Sequence, residues 1–275
     1  MEDISNAGNV QIKKGLKIAL KTLLDSFIVI MLLLSSIFVL FPKFSLKIHQ
    51  TLGNKRVQEL NYKMIYSRSN NVADLYNLII FKGEQGDYQE ELSYIDTMIA
   101  RDDYNSFCKN MDDASLDKIS ADRLNAYSAN VNGYLLSRKV ICMYELKQDG
   151  MDSYIYRQTN SGKISEYSFS TYVDLIYFDQ SLNDTEKAQK ISSLLEISDI
   201  YDGRLLSLED LVKTRVYSLN TALKVETDEN KQDVFRYTLM RIYASRFYAY
   251  DAVGNEEFKN ENLELYKAIK AELAR

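Results

Sequence analysis

Hydrophobic positions along the chain fall into one uninterrupted run followed by short stripes at helical spacing. The run, Phe27 to Phe41 (FIVIMLLLSSIFVLF), holds no charged residue and ends at Pro42, the only proline in the chain. Counted from Thr22 to Pro42 it would make about 30 Å of helix, the thickness of a hydrocarbon core. The pattern therefore predicts a single transmembrane helix over residues 22–42, with the bilayer as its partner, behind a polar and basic tail over residues 1–21. Lys13, Lys14, Lys17 and Lys21 in that tail alternate with Leu16, Ile18 and Leu20, as in a helix entering at headgroup level. A cleaved signal peptide shares the basic start and apolar core, but the run is long and PKFSLKIHQ offers no small-x-small cleavage site, so the reading is an uncleaved signal anchor. Lysine and arginine flank the run equally. The short lysine-rich N-terminus is awkward to translocate, which places it in the cytoplasm and the rest of the chain on the extracytoplasmic side.

Beyond the run, Leu46, Val57, Leu60, Met64 and Ile65 stand at loosely helical intervals and predict a juxtamembrane helical linker over residues 43–72. In residues 73–275 the stripes sharpen. Leu75, Leu78 and Ile79 form one; Leu92, Ile95, Met98 and Ile99 form the next; the turn GEQGDY lies between them. Gly86 suits a left-handed helix end and Asp87 can cap the helix that follows. Leu124 to Leu146 keeps the period through Tyr127, Val131, Tyr134, Arg138, Ile141 and Cys142, and Phe169, Tyr172, Val173 and Ile176 resume it. Ser207 with Asp210 predicts a capping box opening a helix over Leu208–Val225. Gln232–Tyr250 predicts an amphipathic helix that buries Met240, Tyr243, Phe247 and Tyr250, with Arg236, Arg241 and Arg246 flanking them. One segment breaks the pattern: Ser153–Phe169 alternates about the turn-like Asn160-Ser161-Gly162-Lys163 and reads as a β-hairpin or a loop.

Composition supports helices: one proline and ten glycines are too few turn residues for an all-β domain of 275 residues. Twenty-one tyrosines without a tryptophan read as half-buried packing residues. Of the net charge of −5, residues 1–47 hold six lysines against Glu2, Asp3 and Asp25, which leaves −8 on the remainder. An acidic body is unsuited to the phosphate backbone, so no nucleic acid is expected. Cys108 and Cys142 read as small buried residues, with a disulfide between them left open.

Chemistry is sparse. The chain has no Gly-rich phosphate loop, no His-Glu-x-x-His helix, no Gly-x-Ser-x-Gly elbow and no Cys-x-x-Cys pair. Its one histidine, His49, has no cluster around it in sequence, so metal hydrolysis and histidine-assisted nucleophiles lack material. Asp102-Asp103 and Asp112-Asp113 read as solvated connectors. Asp179–Glu186 (DQSLNDTE) lacks the glycine and alternate oxygen ligands of a calcium loop. The expectation is no catalytic residue, no metal and no cofactor.

The turn Gly86-Asp87-Tyr88 resembles that of a tetratricopeptide repeat, a helical pair of about 34 residues with a small residue four after the aspartate; Glu91 stands at that place here. Asn183-Asp184 with Ala188, and Gly254-Asn255, echo the same turn. Asp87, Asp184 and Asn255 stand roughly three and then two such repeat lengths apart. The resemblance implies an all-α fold: a transmembrane helix, then an α-solenoid-like array of helical hairpins. It also implies a scaffold or adaptor that holds a protein or peptide partner, with tyrosines and arginines on inner helix faces as contacts. The alternative is a sensory or regulatory ligand-binding domain whose segment 153–169 closes a pocket.

Overall fold

The computed structural model describes residues 17, 19–32, 36, 39–115, 131–160, 166–201 and 203–274. The chain divides into two compact units, Met1–Leu78 and Ile79–Arg275.

The transmembrane helix expected over residues 22–42 is not found among the described residues of the first unit. No helix among the described residues is long and apolar enough to cross a membrane. Residues 19–32 are helical and include Lys21 and Asp25; at 1.5 Å per residue they reach about 21 Å, short of a hydrocarbon core of about 30 Å. Residues 33–35 and 37–38, which the span needs, lie outside the described residues. Pro42 follows a break at Phe41 and stands in the first turn of helix α1 (Pro42–Leu52), where a missing N–H costs no bond. The single-pass anchor and the assignment of the two ends to opposite sides of a membrane are therefore withdrawn.

Gly53, left-handed at φ 68°, ends α1, and the Asn54 side chain caps α2 (Lys55–Ser69) by accepting from Val57 N. The two helices pack as a hairpin, but of the apolar stripe expected only Ile65 is buried. The buried positions are Pro42 and Ser45 on α1 and Gln58, Asn61 and Ile65 on α2, while Leu60 is exposed. Asn61 Nδ2 donates to Ser45 Oγ at 2.9 Å and Gln58 Nε2 to the His49 carbonyl at 2.7 Å. The helices meet through satisfied polar groups, which a hydrophobicity pattern does not register.

The boundary between the units falls within α3 (Val72–Gln85). In the second unit the turn after α3 is built as its residues predict. Gly86 sits at φ 68°, and Asp87 caps α4 (Tyr88–Ile99) by accepting from Glu90 N. Buried Lys82 reaches the Asp87 carboxylate at 2.8 Å, tying the end of α3 to the cap. Helices α5 (Tyr104–Ser115), α6 (Val131–Glu145), α7 (Met151–Asn160), α8 (Glu166–Phe178) and α9 (Asp184–Glu196) follow. After a two-stranded hairpin come α10 (Leu208–Val225), α11 (Glu229–Ala252) and α12 (Glu256–Leu273). Residues 124–130, the start of the expected helix Leu124–Leu146, lie outside the described residues.

Segment 153–169, expected as a β-hairpin or a loop, is helical where it is described: residues 153–160 belong to α7 and 166–169 to α8, and 161–165 lie outside the described residues. Met151, Tyr154 and Ile155 bury at helical spacing, and Tyr156, about 200° round the helix from Tyr154, is buried on another side, so two apolar positions two apart need no strand here. The strands are β1 (Ser198–Tyr201) and β2 (Arg204–Ser207), antiparallel, with Ile200 opposite Leu205. Tyr156 on α7 holds this ribbon. Its hydroxyl accepts from Asp199 N at 3.0 Å and donates toward the carbonyls of Leu206 at 2.9 Å and Asp199 at 3.1 Å.

The core gathers on α8. Every residue from Tyr167 to Val173 is buried, and Ile176 continues it one turn on. Helices α6, α7, α9 and α11 all pack on α8. A solenoid would leave each helix a solvent face; α8 has one only at its last turn. On α11 the buried side chains are Thr238, Leu239, Ile242, Tyr243, Ser245, Ala249 and Tyr250, and Met240 and Phe247 are half-buried.

Candidate functional site

The last turn of α8 opens onto a cleft of about 540 Å³. Thr171, Asp174, Leu175 and Phe178 line it from α8, Tyr144 and Glu145 from the end of α6, and Lys147, Asp179 and Ser181 from the two adjoining turns. The four α8 positions recur at three-four spacing on the face opposite the stripe Phe169, Tyr172, Val173, Ile176, so a single helix supplies both core and cleft.

Each wall has a local cause. The α6 end is closed by Lys147 N on the Tyr144 carbonyl and Gln148 N on the Met143 carbonyl, both at 2.9 Å. This is a Schellman stop with Lys147 left-handed at φ 52°, a place that favours glycine. On the other wall Asp179 Oδ1 accepts from Ser181 N at 2.8 Å and from its hydroxyl at 2.6 Å. Tyr144 donates to Asp179 Oδ2 at 2.6 Å, joining the two turns. The next residues, Asn183 and Glu186, make a capping box on α9. The sequence Asp179–Glu186 is thus a turn and a helix cap.

The two aspartates have opposite electrostatics. The Ser181 hydroxyl and then Tyr144 hold Asp179 below the usual carboxylate range. Burial pushes Asp174 above it, against the pull of Arg241, whose Nη1 lies 2.6 Å from Asp174 Oδ2. Asp174 Oδ1 has no hydrogen-bond partner, and neither has the hydroxyl of Thr171, which is only 1% exposed. Both atoms are buried, and the hydroxyls of Ser168 and Ser170 on the same helix and Arg241 Nε are likewise unpaired. Phe178, 59% exposed, stands at its mouth and stacks edge-on with Tyr177 and Tyr248.

The residues singled out from sequence lie elsewhere. His49 is on α1, where its carbonyl accepts from Gln58 and from Asn54 N. Asp103 pairs with Arg101 at 2.7 Å and lies below its ordinary range mainly through that bond. The side chains of Asp112 and Asp113 are outside the described set. Cys108 and Cys142 are buried free thiols, and burial followed by the nearby Glu91 charge raises the Cys142 thiol far above its usual range. Among the described residues no group of histidine, cysteine, aspartate and glutamate is placed to hold a metal. Arg236, Arg241 and Arg246, expected beside the α11 face, engage Asp233 and Glu272, Asp174, and Tyr250 respectively.

Comparison with known protein families, with curated proteins and with solved structures finds no match for this chain.

Proposed function

We propose that the chain is a non-enzymatic interaction module, an adaptor of helical hairpins that holds a segment of a protein partner in the cleft at the end of α8. The observation that carries this reading is the cleft itself: a concavity of about 540 Å³ lined by Tyr144, Glu145, Lys147, Asp174, Phe178 and Asp179 among others. The tetratricopeptide-like turn Gly86-Asp87-Tyr88 agrees with it, since such helical pairs commonly serve as binding platforms. Catalysis is disfavoured because both oxygens of Asp179 are already engaged and Asp174 Oδ2 is tied to Arg241, leaving no adjacent nucleophile and base.

A second reading, a regulatory domain for a small ligand, is favoured by the cleft volume alone, which lies within the span of about 300–1,000 Å³ usual for such sites. Site-directed photocrosslinking separates the module from a bystander surface. Phe178→p-benzoylphenylalanine is expected to give a discrete partner adduct in extract that disappears when Glu145→Gln and Asp179→Asn are added. The same probe at Tyr217, 75% exposed on α10, gives none. Equal labelling from both positions, or none from 178, rejects the module.

A further inference from the structure

The α1–α2 hairpin is packed inside out. Its buried positions include Ser45, Gln58 and Asn61, while Phe44 and Leu52 on α1 and Leu60 on α2 are exposed. Phe44, Ile48 and Leu52 stand four residues apart and so share one face of α1. At the N-terminal end of α1 lies a groove of about 480 Å³. Leu40, Phe41, Phe44 and Ile65 wall it with apolar side chains. Among the described residues its only charged lining is Lys43, on α1, and Arg68, in the last turn of α2. Neither cation has an ion-pair partner among the described residues. Residues 42–69 carry four lysines and two arginines against one glutamate, Glu59, which Lys63 engages at 2.8 Å.

The lining decides between occupants. A peptide would bring backbone N–H and C=O groups to apolar walls that offer them no partner. A second copy docked by two-fold symmetry would set its own Lys43 and Arg68 near the first pair, cation against cation. An uncharged apolar molecule would leave both cations unused. A hydrocarbon chain has no polar atom to strand, and an anionic head at its end meets an ammonium and a guanidinium that can grip it with two N–H groups. We propose that this groove binds one anionic amphiphile, an alkyl or acyl chain ending in a phosphate or carboxylate. The chain lies on Phe41, Phe44 and Ile65, and the head on Lys43 and Arg68. The volume falls within the span of about 300–1,000 Å³ usual for small ligands. The site lies wholly within the first unit and stands independently of the α8 cleft.

The test titrates the full chain in a calorimeter with decyl phosphate below its micelle-forming concentration, beside decanol and inorganic phosphate. Decyl phosphate is expected to bind about tenfold tighter than decanol or more, and inorganic phosphate to give no signal. Arg68→Gln and Lys43→Gln are each expected to weaken decyl phosphate about threefold or more while leaving decanol unchanged. Phe44→Asp is expected to weaken both about tenfold, and Leu60→Asp, outside the groove, to change neither. All four replaced side chains are exposed, so the helical circular dichroism is expected to stay as it is. Decanol binding as tightly as decyl phosphate overturns the proposal. Binding that Leu60→Asp weakens as much as Phe44→Asp also overturns it, as general adsorption to apolar surface. Two further outcomes overturn it by giving the groove another occupant. Binding to phosphatidylglycerol vesicles with none to monomeric decyl phosphate assigns it to a lipid surface. A dimer in sedimentation that Phe44→Asp dissociates and decyl phosphate does not assigns it to a second copy.

Discussion

Arg138 grips Glu91 with both ends of its fork: Nε donates to Oε1 at 2.7 Å and Nη2 to Oε2 at 2.6 Å. Glu91 on α4 is wholly buried, and the pair joins α4 to α6. Burial pulls the Arg138 guanidinium down, but the Glu91 carboxylate outweighs it and the group stays charged, well above its ordinary range. Removing one partner strands the other in the core. Arg138→Leu is expected to cost about 3–5 kcal/mol in chemical denaturation, and Glu91→Ala with Arg138→Leu clearly less. A double variant as unstable as the sum of its parts would show that the two residues act independently.

Gly83 on α3 is what makes room for that carboxylate. A Cβ there would lie 2.9 Å from Glu91 Oε1 and 3.0 Å from Arg138 Nη2. Gly83→Ala is expected to destabilise by about 1–3 kcal/mol in the native chain, and by much less once Glu91→Ala has emptied the space. Equal melting-point losses in both backgrounds would sink the steric account.

Tyr156→Phe removes only an oxygen, yet that oxygen meets the backbone of both strands of the 198–207 ribbon. The expected loss is about 1–3 kcal/mol of local stability, with faster amide exchange at Asp199 and little change in α8. Unchanged exchange at Asp199 would mean that the ribbon holds itself.

Lys147 adopts a left-handed conformation that costs a non-glycine residue about 1 kcal/mol. Lys147→Gly is therefore expected to raise stability by about that amount, read as a higher denaturation midpoint. A lower midpoint would show that the lysine side chain contributes more than its backbone costs.

Tyr177 donates to Asp251, which also pairs with Lys259 at 3.0 Å. That bond and then burial push the phenol from 10.0 up to about 12, while Tyr177 and then Lys259 hold Asp251 below 3.8. Folded Tyr177 keeps its proton longer than the unfolded chain does, so its contribution is whole below pH 10 and is lost as pH rises toward 12. Asp251 runs the other way, contributing above pH 3.8 and losing that contribution as pH falls below it. Tyr177→Phe should make the alkaline fall in stability shallower and trim the acid one. An alkaline limb of unchanged slope refutes the assignment.

Much of the helical order was legible because its signals are local. Gly86-Asp87, Asn183, Ser207-Asp210 and Gly254-Asn255 each stop or cap a helix with atoms a few residues away, and each does so in the structure. The true hairpin also carried a local signal, Asp202-Gly203 between ISDIY and RLLSL, with Gly203 at φ 72°. It was overshadowed by the tyrosine alternation at 153–169. Ile200 and Leu205, the facing pair, are 70% and 71% exposed, so no buried face gave the strands a period-2 stripe.

The rest required three dimensions. Serine, glutamine and asparagine at the α1–α2 contact look like surface until Asn61 meets Ser45. The cleft draws on residues 144–147 and 171–181, which share no motif; only the second face of α8 hinted at it. The apolar run at 27–41 shows that hydropathy alone does not establish a span, since no helix among the described residues is long and apolar enough to cross a membrane.

The burial of α8 has a consequence for synthesis. Residues 167–173 have no side open to water, and part of their cover comes from α11, where Thr238 Oγ1 lies 2.9 Å from the Tyr167 hydroxyl. A ribosome that has delivered α6 to α9 has therefore made a helix with a missing wall. Until α11 leaves the exit tunnel, that apolar wall stays available to chaperones, and to its like on neighbouring nascent chains.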